Sequence, residues 1–155
     1  MEYDVQERSL DDAELAGLLE AAFAELVTRN GREGRTQVKS GARYFVVLDG
    51  EDRAVGCGAV QVFGPDTEHA GDGEVKRMYV APPARGRGYA RALLTALENA
   101  AREANHPVLR LTTSERQPEA IALYESCGFV RVDPWGKYAT EPTTRCYGKP
   151  LNPTS

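Results

Sequence analysis

Apolar and polar positions follow two different periods along the chain. Short apolar or alternating runs bounded by turn residues predict strands, because successive side chains of a strand point to opposite faces. Apolar residues three or four positions apart predict helices with one buried face. The predicted strands cover residues 1–8, 44–48, 54–63, 74–80, 108–113, 129–132 and 143–148, and the predicted helices cover about 10–28, 90–104 and 118–127.

Local signals indicate how several of these elements begin and bend. The run Ser9–Asp12 has the form of a capping box, which predicts Ser9 as the N-cap of the first helix. Gly56 and Gly58 lie inside a predicted strand, which indicates a bulge or the close approach of another backbone. Residues 32–41 are polar and glycine-rich, which predicts a loop.

The chain is organised around Glu74–Ala104, where a strand, a proline stop and a glycine-rich turn lead into a long amphipathic helix. The first backbone N–H groups of a helix have no partner inside it, and the helix dipole is positive at that end. The small residues of Arg85–Ala90 let an anion come close, so this turn predicts a phosphate site. The strand that follows the helix is expected to run parallel to the first, through a right-handed crossover.

Two common nucleotide-binding patterns do not fit this turn. A mononucleotide loop needs four residues between its glycines and then Lys-Ser or Lys-Thr, and this chain has no such run. A dinucleotide fingerprint needs a small residue at the position that Arg91 occupies, and an arginine there would keep the helix from packing closely on its strand.

Composition sets the broad class. The 155 residues predict a single domain over 1–155, with a core that needs no disulfides. The net charge of −4 argues against a nucleic-acid or membrane partner. Cys57, Cys127 and Cys146 have no metal-like spacing, which favours reduced thiols and a cytoplasmic location. His69 and His106 are expected to be solvated, and no metal site is expected.

Two segments carry a resemblance to a known family. Arg85-x-x-Gly88-x-Ala90 resembles the pyrophosphate-binding motif of the GNAT superfamily of N-acetyltransferases, and Ala120–Phe129 resembles its second signature, a short helix with a tyrosine four residues before Gly-Phe. The resemblance covers about Tyr44–Leu151, and the first forty residues match only in pattern. It implies an α/β fold with a mixed, largely antiparallel sheet of six or seven strands, about four flanking helices and splayed parallel central strands.

The same resemblance implies acetyl-CoA as cosubstrate and assigns residues to it. Backbone amides of the turn would hold the diphosphate, and Arg85 and Arg87 would add positive charge near it. The strand before the turn would form hydrogen bonds with the pantetheine arm. Gln117 stands where the family often has asparagine on a pantetheine amide, so that contact either persists or shifts. The implied donor-binding residues are Met78, Tyr79, Val80, Arg85, Gly86, Arg87, Gly88, Tyr89, Ala90, Arg91 and Gln117.

Two residues match catalytic positions of the family. Glu74 matches a general base, since an amine must lose its proton before it attacks, although a chain of water molecules could do the same. Tyr124 matches the general acid that protonates the departing thiolate; the alternative is a tyrosine packed in the core. No histidine lies at a motif-like distance from a cysteine, so a covalent acyl-enzyme is not expected.

The resemblance therefore implies acetyl transfer by direct attack of a primary amine, of a small molecule or a peptide, in a ternary complex. Residues 32–41 then form either a wall of the acceptor pocket or a plain surface loop. Two other readings stay open: a CoA-binding sensor or scaffold without turnover, and a phosphate-binding regulatory domain for another nucleotide. A homodimer is common in the family. The residues do not identify the acceptor.

Overall fold

The computed structural model describes residues 3–30 and 41–151, so most of the predicted loop at 32–41 lies outside the described residues. The strands are β1 (Asp4–Arg8), β2 (Arg43–Leu48), β3 (Ala54–Val62), β4 (Gly73–Val80), β5 (Val108–Ser114), β6 (Val130–Val132) and β7 (Thr144–Pro150). The helices are α1 (Ala13–Asn30), α2 (Tyr89–Glu103) and α3 (Pro118–Ser126), with 3₁₀ turns at Pro82–Ala84 and Gly136–Thr140.

The strands form one mixed sheet in the order β1-β2-β3-β4-β5-β7-β6. β4 pairs with β5 in parallel, through Gly73 with Leu109 and Glu74 with Arg110. β1 with β2, β2 with β3, β5 with β7 and β6 with β7 are antiparallel. The predicted fold class is confirmed, with three α-helices within residues 3–30 and 41–151 where about four helices were expected.

The chain forms two compact units, and β4 and α2 contribute residues to both. The first unit comprises the residues up to Gln61 together with Lys76–Leu97, and the second comprises Val62–Val75 with Glu98 onward. Each unit is assembled from separate stretches of sequence. The single domain predicted over residues 1–155 stays a prediction.

The first unit has its core between α1 and one face of β2 and β3. Leu15 and Leu18 of α1 are buried against side chains that alternate along the two strands, as the period of a strand requires. These strand residues are Tyr44, Val46, Leu48, Cys57 and Ala59. Leu93, Leu94 and Leu97 of α2 are fully buried too, as helical spacing predicted.

The predicted start of α1 was wrong by one turn. The helix begins at Ala13, and the Asp12 carboxylate accepts a hydrogen bond from the Leu15 N–H at 2.9 Å, so Asp12 is the N-cap and not Ser9. The Asp12 N–H donates to the Ser9 carbonyl at 3.0 Å, in a turn before the helix. Arg8 pairs with Asp12 at 3.0 Å, a contact that favours the later start.

The glycines of β3 mark a close approach, as predicted. A Cβ added to Gly56 would lie 3.0 Å from the Tyr79 carbonyl oxygen. A Cβ on Gly58 would meet the Met78 sulfur at 2.8 Å. The register with β2 also shifts between Val47 and Leu48, so the strand carries an irregularity as well. A larger residue at Gly56 would press on the β4 backbone, whereas one at Gly58 would displace the Met78 side chain.

The second unit packs α3 and the end of α2 with β5, β6 and β7. Its largest fully buried side chain is Tyr147, whose hydroxyl donates to the Glu125 carboxylate at 2.8 Å. The buried Glu98 carboxylate accepts from the Lys149 ammonium at 3.0 Å, and that ammonium also donates to the Cys127 carbonyl at 2.7 Å. Paired in this way, the buried charge avoids the large cost of an isolated one.

Candidate active site

The residues predicted to bind the donor and to act on the acetyl group fall into two groups, one in each unit. The first unit holds the second half of β4 and the turn before α2, that is Met78–Val80 and Arg85–Arg91. The second unit holds Glu74, Gln117 and Tyr124. β4 carries members of both groups, since Glu74 lies near its start and Val80 is its last residue.

The turn before α2 has the backbone of an anion site. After the 3₁₀ turn Pro82–Ala84, Gly86 and Gly88 take φ angles of +77° and +86°, in the left-handed region that glycine enters at little cost. Gly88 precedes the first helical residue, and its carbonyl accepts from the Ala92 N–H at 3.1 Å. Within the described residues of this unit, no acceptor is found for the N–H groups of residues 86–90. These donors can meet the oxygens of a bound anion.

Arg85 is held by the protein itself. Its Nε donates to the Val80 carbonyl at 2.8 Å, and its terminal nitrogen donates to the Glu25 carboxylate at 2.7 Å. The guanidinium also lies over the Tyr79 ring, 5.6 Å from the centroid. Arg85 therefore ties the turn to the end of β4 and to α1, contacts that sequence reasoning missed.

Tyr3 contacts the same turn and was not predicted at all. Its hydroxyl donates to the Arg87 carbonyl at 2.7 Å, and its ring meets Tyr89 edge-on at 5.5 Å. A Cβ added to Gly88 would overlap the Tyr3 hydroxyl. The sequence gives no signal for this contact, because Tyr3 lies in an unremarkable stretch 84 positions before Arg87.

β4 is irregular where the pantetheine contacts were predicted. Arg77 has a φ of +62°, a conformation that is uncommon for a residue with a side chain. The Arg77 carbonyl accepts from the buried Cys57 thiol at 3.4 Å. Directly after the end of β4, the Ala81 N–H donates to the Val55 carbonyl at 2.8 Å. Arg77 directly precedes Met78–Val80, and a residue held in an uncommon backbone conformation is a candidate for function.

Glu74 lies in a polar region of the second unit and is only 6% exposed. It pairs in register with Arg110, whose Nε donates to the buried Asp72 carboxylate at 2.8 Å. Burial raises the pKa of the nearby Cys146 thiol, and the Glu74 charge raises it further while Arg110 acts in the opposite direction. Glu74 is therefore a buried carboxylate among charged neighbours and not a solvated residue at the strand end.

Aromatic rings pack beside these charges. Trp135 is buried under the Arg110 guanidinium, 5.7 Å from its ring centroid, and meets Phe63, His69 and Tyr138 edge-on. Both histidines, which were expected to be solvated, are half-buried. His69 lies among these rings, and His106 contacts the Gly71 carbonyl at 2.9 Å through Nδ1. In the described ranges, no three side chains of the kinds that ligate metals come together.

Tyr124 is buried near the end of α3, and its spacing from Gly-Phe has a structural cause. Phe129 N–H donates to the Tyr124 carbonyl at 3.1 Å and Gly128 N–H to the Glu125 carbonyl at 3.2 Å, while Gly128 has a φ of +91°. This is a Schellman motif, in which the residues at the positions of Tyr124 and Phe129 touch. Their rings lie 6.0 Å apart. Burial raises the pKa of the Tyr124 phenol to about 12, and the nearby Cys127 adds to the effect.

Gln117 stands at the junction between β5 and α3. Its N–H donates to the Ser114 carbonyl at 3.0 Å, and its own carbonyl accepts from the Ile121 N–H at 3.1 Å. Its side chain makes no cap hydrogen bond, so the helix start is fixed by the backbone and by Pro118 in the first turn. The amide is half-buried.

A mixed sheet, a glycine-rich turn after β4 and a Tyr-(x)₃-Gly-Phe helix end are the combination that the resemblance to acetyltransferases implied. The family model described as the acetyltransferase (GNAT) family matches residues 10–129. The chain is 43% identical over 107 residues to an IAA acetyltransferase of Azospirillum brasilense, a match that covers 69% of this chain and 67% of that protein. The chain belongs to the GNAT acetyltransferase family.

Solved structures agree on the fold. A Klebsiella pneumoniae protein assigned as an acyl-CoA N-acyltransferase has a TM-score of 0.81 and 31% identity, over 97% of this chain and 98% of that one. A GNAT superfamily phosphinothricin acetyltransferase of Sinorhizobium meliloti, solved in complex with AcCoA, has a TM-score of 0.71 and 21% identity, over 100% and 95%. Among the described helices, none is long and apolar enough to cross a membrane.

Proposed function

We propose that the protein transfers the acetyl group of acetyl-CoA to a primary amine of a small molecule or peptide, by direct attack of the amine on the bound thioester. The observation that carries the proposal is the turn at residues 86–90, whose N–H groups meet no acceptor among the described residues and whose two left-handed glycines suit the diphosphate of CoA. The related acetyltransferase solved with AcCoA supports the same donor.

In this proposal the turn at residues 86–91 binds the phosphates, with charge from Arg87. The backbone of Met78–Val80 bonds the pantetheine arm, and a freed N–H near Met78 or Tyr79 stabilises the thioester oxyanion. Arg85 holds the turn in place, because the contacts of its guanidinium are with Val80 and Glu25. The Gln117 amide remains the candidate for the pantetheine amide.

Glu74 removes a proton from the incoming amine, and the Tyr124 phenol donates a hydrogen bond to the departing thiolate. A lysine-like amine has a pKa of about 10.4, so it is mostly charged at pH 7 and needs a base. With its pKa raised to about 12, the Tyr124 phenol stays protonated throughout the working range. It can therefore donate a hydrogen bond to sulfur as the carbon–sulfur bond breaks.

The second candidate is a CoA-binding sensor or scaffold without turnover. The burial of Tyr124 in a Schellman motif is compatible with this second candidate, because a structural role at the helix end would account for a tyrosine there without any catalytic role. The buried Glu74 favours the enzyme, since a module that only binds CoA has no need for a carboxylate there. A third candidate, a domain for another nucleotide, predicts that ATP or NAD displaces CoA.

The test combines binding and turnover on one preparation. Calorimetry with CoA, ATP and NAD identifies the ligand class, and CoA should bind far more tightly than the others. Thiol release from acetyl-CoA is then followed across a panel of primary amines that includes phosphinothricin, and with IAA in a separate assay, because relatives are named for these two compounds. Turnover with intersecting initial-rate patterns supports direct attack. Tight CoA binding without thiol release above the hydrolytic background supports the sensor.

A further inference from the structure

The N-terminal segment contributes a side chain to the turn that precedes α2. The Tyr3 hydroxyl donates to the Arg87 carbonyl at 2.7 Å, and the Tyr3 ring packs edge-on against Tyr89 at 5.5 Å. A Cβ on Gly88 would lie 3.1 Å from Tyr3 Cζ and still closer to its hydroxyl. Gly88 therefore leaves room for the Tyr3 side chain.

This hydrogen bond determines which way one peptide group faces. The C=O and N–H of a trans peptide point in opposite directions, so a carbonyl of Arg87 directed at Tyr3 sends the Gly88 N–H away from Tyr3. A reversed peptide would present a carbonyl oxygen in place of that N–H. An oxygen there would repel an anion at the helix start instead of binding it.

The backbone alone does not choose between the two orientations. Reversing the peptide changes the φ of Gly88 from +86° to a negative value, and glycine adopts both regions about equally readily. Arg87 and Gly88 are exposed, so little else packs on the peptide. The hydroxyl of Tyr3 is the contact that favours the orientation with the N–H available.

We propose that Tyr3 is a positioning residue for the acetyl donor: through the Arg87 carbonyl, it holds the Gly88 N–H in the orientation that donates to the diphosphate. The inference rests on the proposed function, since it takes CoA as the ligand of the turn. It adds a residue outside both family signatures, at the opposite end of the sequence from α3. Tyr3 does not touch the reacting atoms.

Tyr3→Phe is the decisive variant, because it removes the hydroxyl and keeps the ring on Tyr89. We expect the Kd for CoA and the KM for acetyl-CoA to rise about three- to tenfold, the effect of one hydrogen bond. The kcat at saturating acetyl-CoA and the KM for the amine should stay within twofold. S-acetylpantetheine, which lacks the diphosphate, should be used equally well by both forms.

Tyr147→Phe is the matched control, since it also removes one phenol hydroxyl with a hydrogen bond, to Glu125, in the other unit. It should lower the melting temperature without changing the Kd for CoA. A Tyr3→Phe Kd within twofold of wild type would overturn the inference and leave the proposed function standing. An equal loss in Tyr147→Phe, or an equal loss with S-acetylpantetheine, would also overturn it. Failure of the wild type to bind CoA would instead overturn the proposed function.

Discussion

Arg85 and Glu25 form an ion pair at 2.7 Å that joins the turn before α2 to the side of α1. The two residues are 60 positions apart, and the same guanidinium reaches the Val80 carbonyl at 2.8 Å. The resemblance to GNAT enzymes suggested that Arg85 adds charge near the phosphates. The observed contacts make it a brace that holds the end of β4 against the turn.

A brace predicts a loss of stability when Arg85 is replaced. Arg85→Gln removes the ion pair, the bond to Val80 and the contact with the Tyr79 ring, so the free energy of unfolding should fall by about 1–2 kcal/mol. Arg53→Gln is the control, because Arg53 pairs with Glu51 at 3.3 Å with both side chains about three-quarters exposed, 75% and 74%. Urea denaturation should show almost no change in the free energy of unfolding of Arg53→Gln. Equal stabilities of Arg85→Gln and the wild type would refute the brace.

Sequence reasoning succeeded where the determinants are local. The Tyr124 to Phe129 spacing was readable because one helix end with a left-handed glycine sets it, within six consecutive residues. The turn before α2 could be predicted for the same reason, because Gly86 and Gly88 lie within a few consecutive residues. Tyr3 on Arg87 and Glu25 on Arg85 were not, because both contacts join distant segments. The start of α1 was misjudged because Ser9 and Asp12 are both good caps, and the pairing of Arg8 with Asp12 accompanies the later start.

Two glycines allow the proposed phosphate site to be tested separately from backbone strain. Gly86 and Gly71 have φ angles of +77° and +90°, and an added Cβ at either would meet no atom of the described residues within 4 Å. Alanine at each should cost about 1–2 kcal/mol of stability, because both positions are left-handed. Only Gly86→Ala should weaken CoA binding, by tenfold or more, since only Gly86 lies in the turn. Calorimetry that finds equal affinities for the two variants would place the diphosphate elsewhere.

The buried thiol of Cys57 makes stability depend on alkaline pH. Burial raises its pKa from 9.0 to about 12, so the folded state disfavours the thiolate. The stabilisation is fully present below pH 9 and is lost as pH rises from 9 toward 12. Between pH 8 and 11 the wild type should lose about 2–3 kcal/mol more than Cys57→Ala. Denaturant titrations at both pH values measure this, and parallel losses in the two proteins would contradict it. The difference between the two proteins at pH 8, where the thiol is protonated, gives the packing cost of the substitution by itself.

Glu74→Gln tests the general base through the pH dependence of the rate. The variant should depress kcat/KM most at low pH and approach the wild type as pH nears the pKa of the amine, because a neutral amine needs no base. Asp72→Asn is the control, since Asp72 is a buried neighbour bound to Arg110. It should lower stability and leave the shape of the profile unchanged. A uniform loss across pH in Glu74→Gln would indicate positioning, and no loss would remove Glu74 from the chemistry.

Tyr124→Phe separates the phenol from the ring. The ring contact with Phe129 and the Schellman hydrogen bonds remain, so the free energy of unfolding should change by less than about 1 kcal/mol. With the phenol pKa at about 12, a full proton transfer to a thiolate of pKa about 8.5 would be uphill by several kcal/mol. The phenol therefore helps mainly as a hydrogen-bond donor while sulfur gains charge, and kcat should fall by about 10²-fold, at the low end for an acid catalyst.

The wild-type rate should show no alkaline decline from Tyr124 below about pH 11, because the phenol ionises only above that pH. Thiol release and CoA affinity on the same preparation decide the point. A kcat within a few-fold of wild type, with unchanged CoA binding, would leave Tyr124 as the residue that closes α3 against Phe129 and assign the thiolate proton to water.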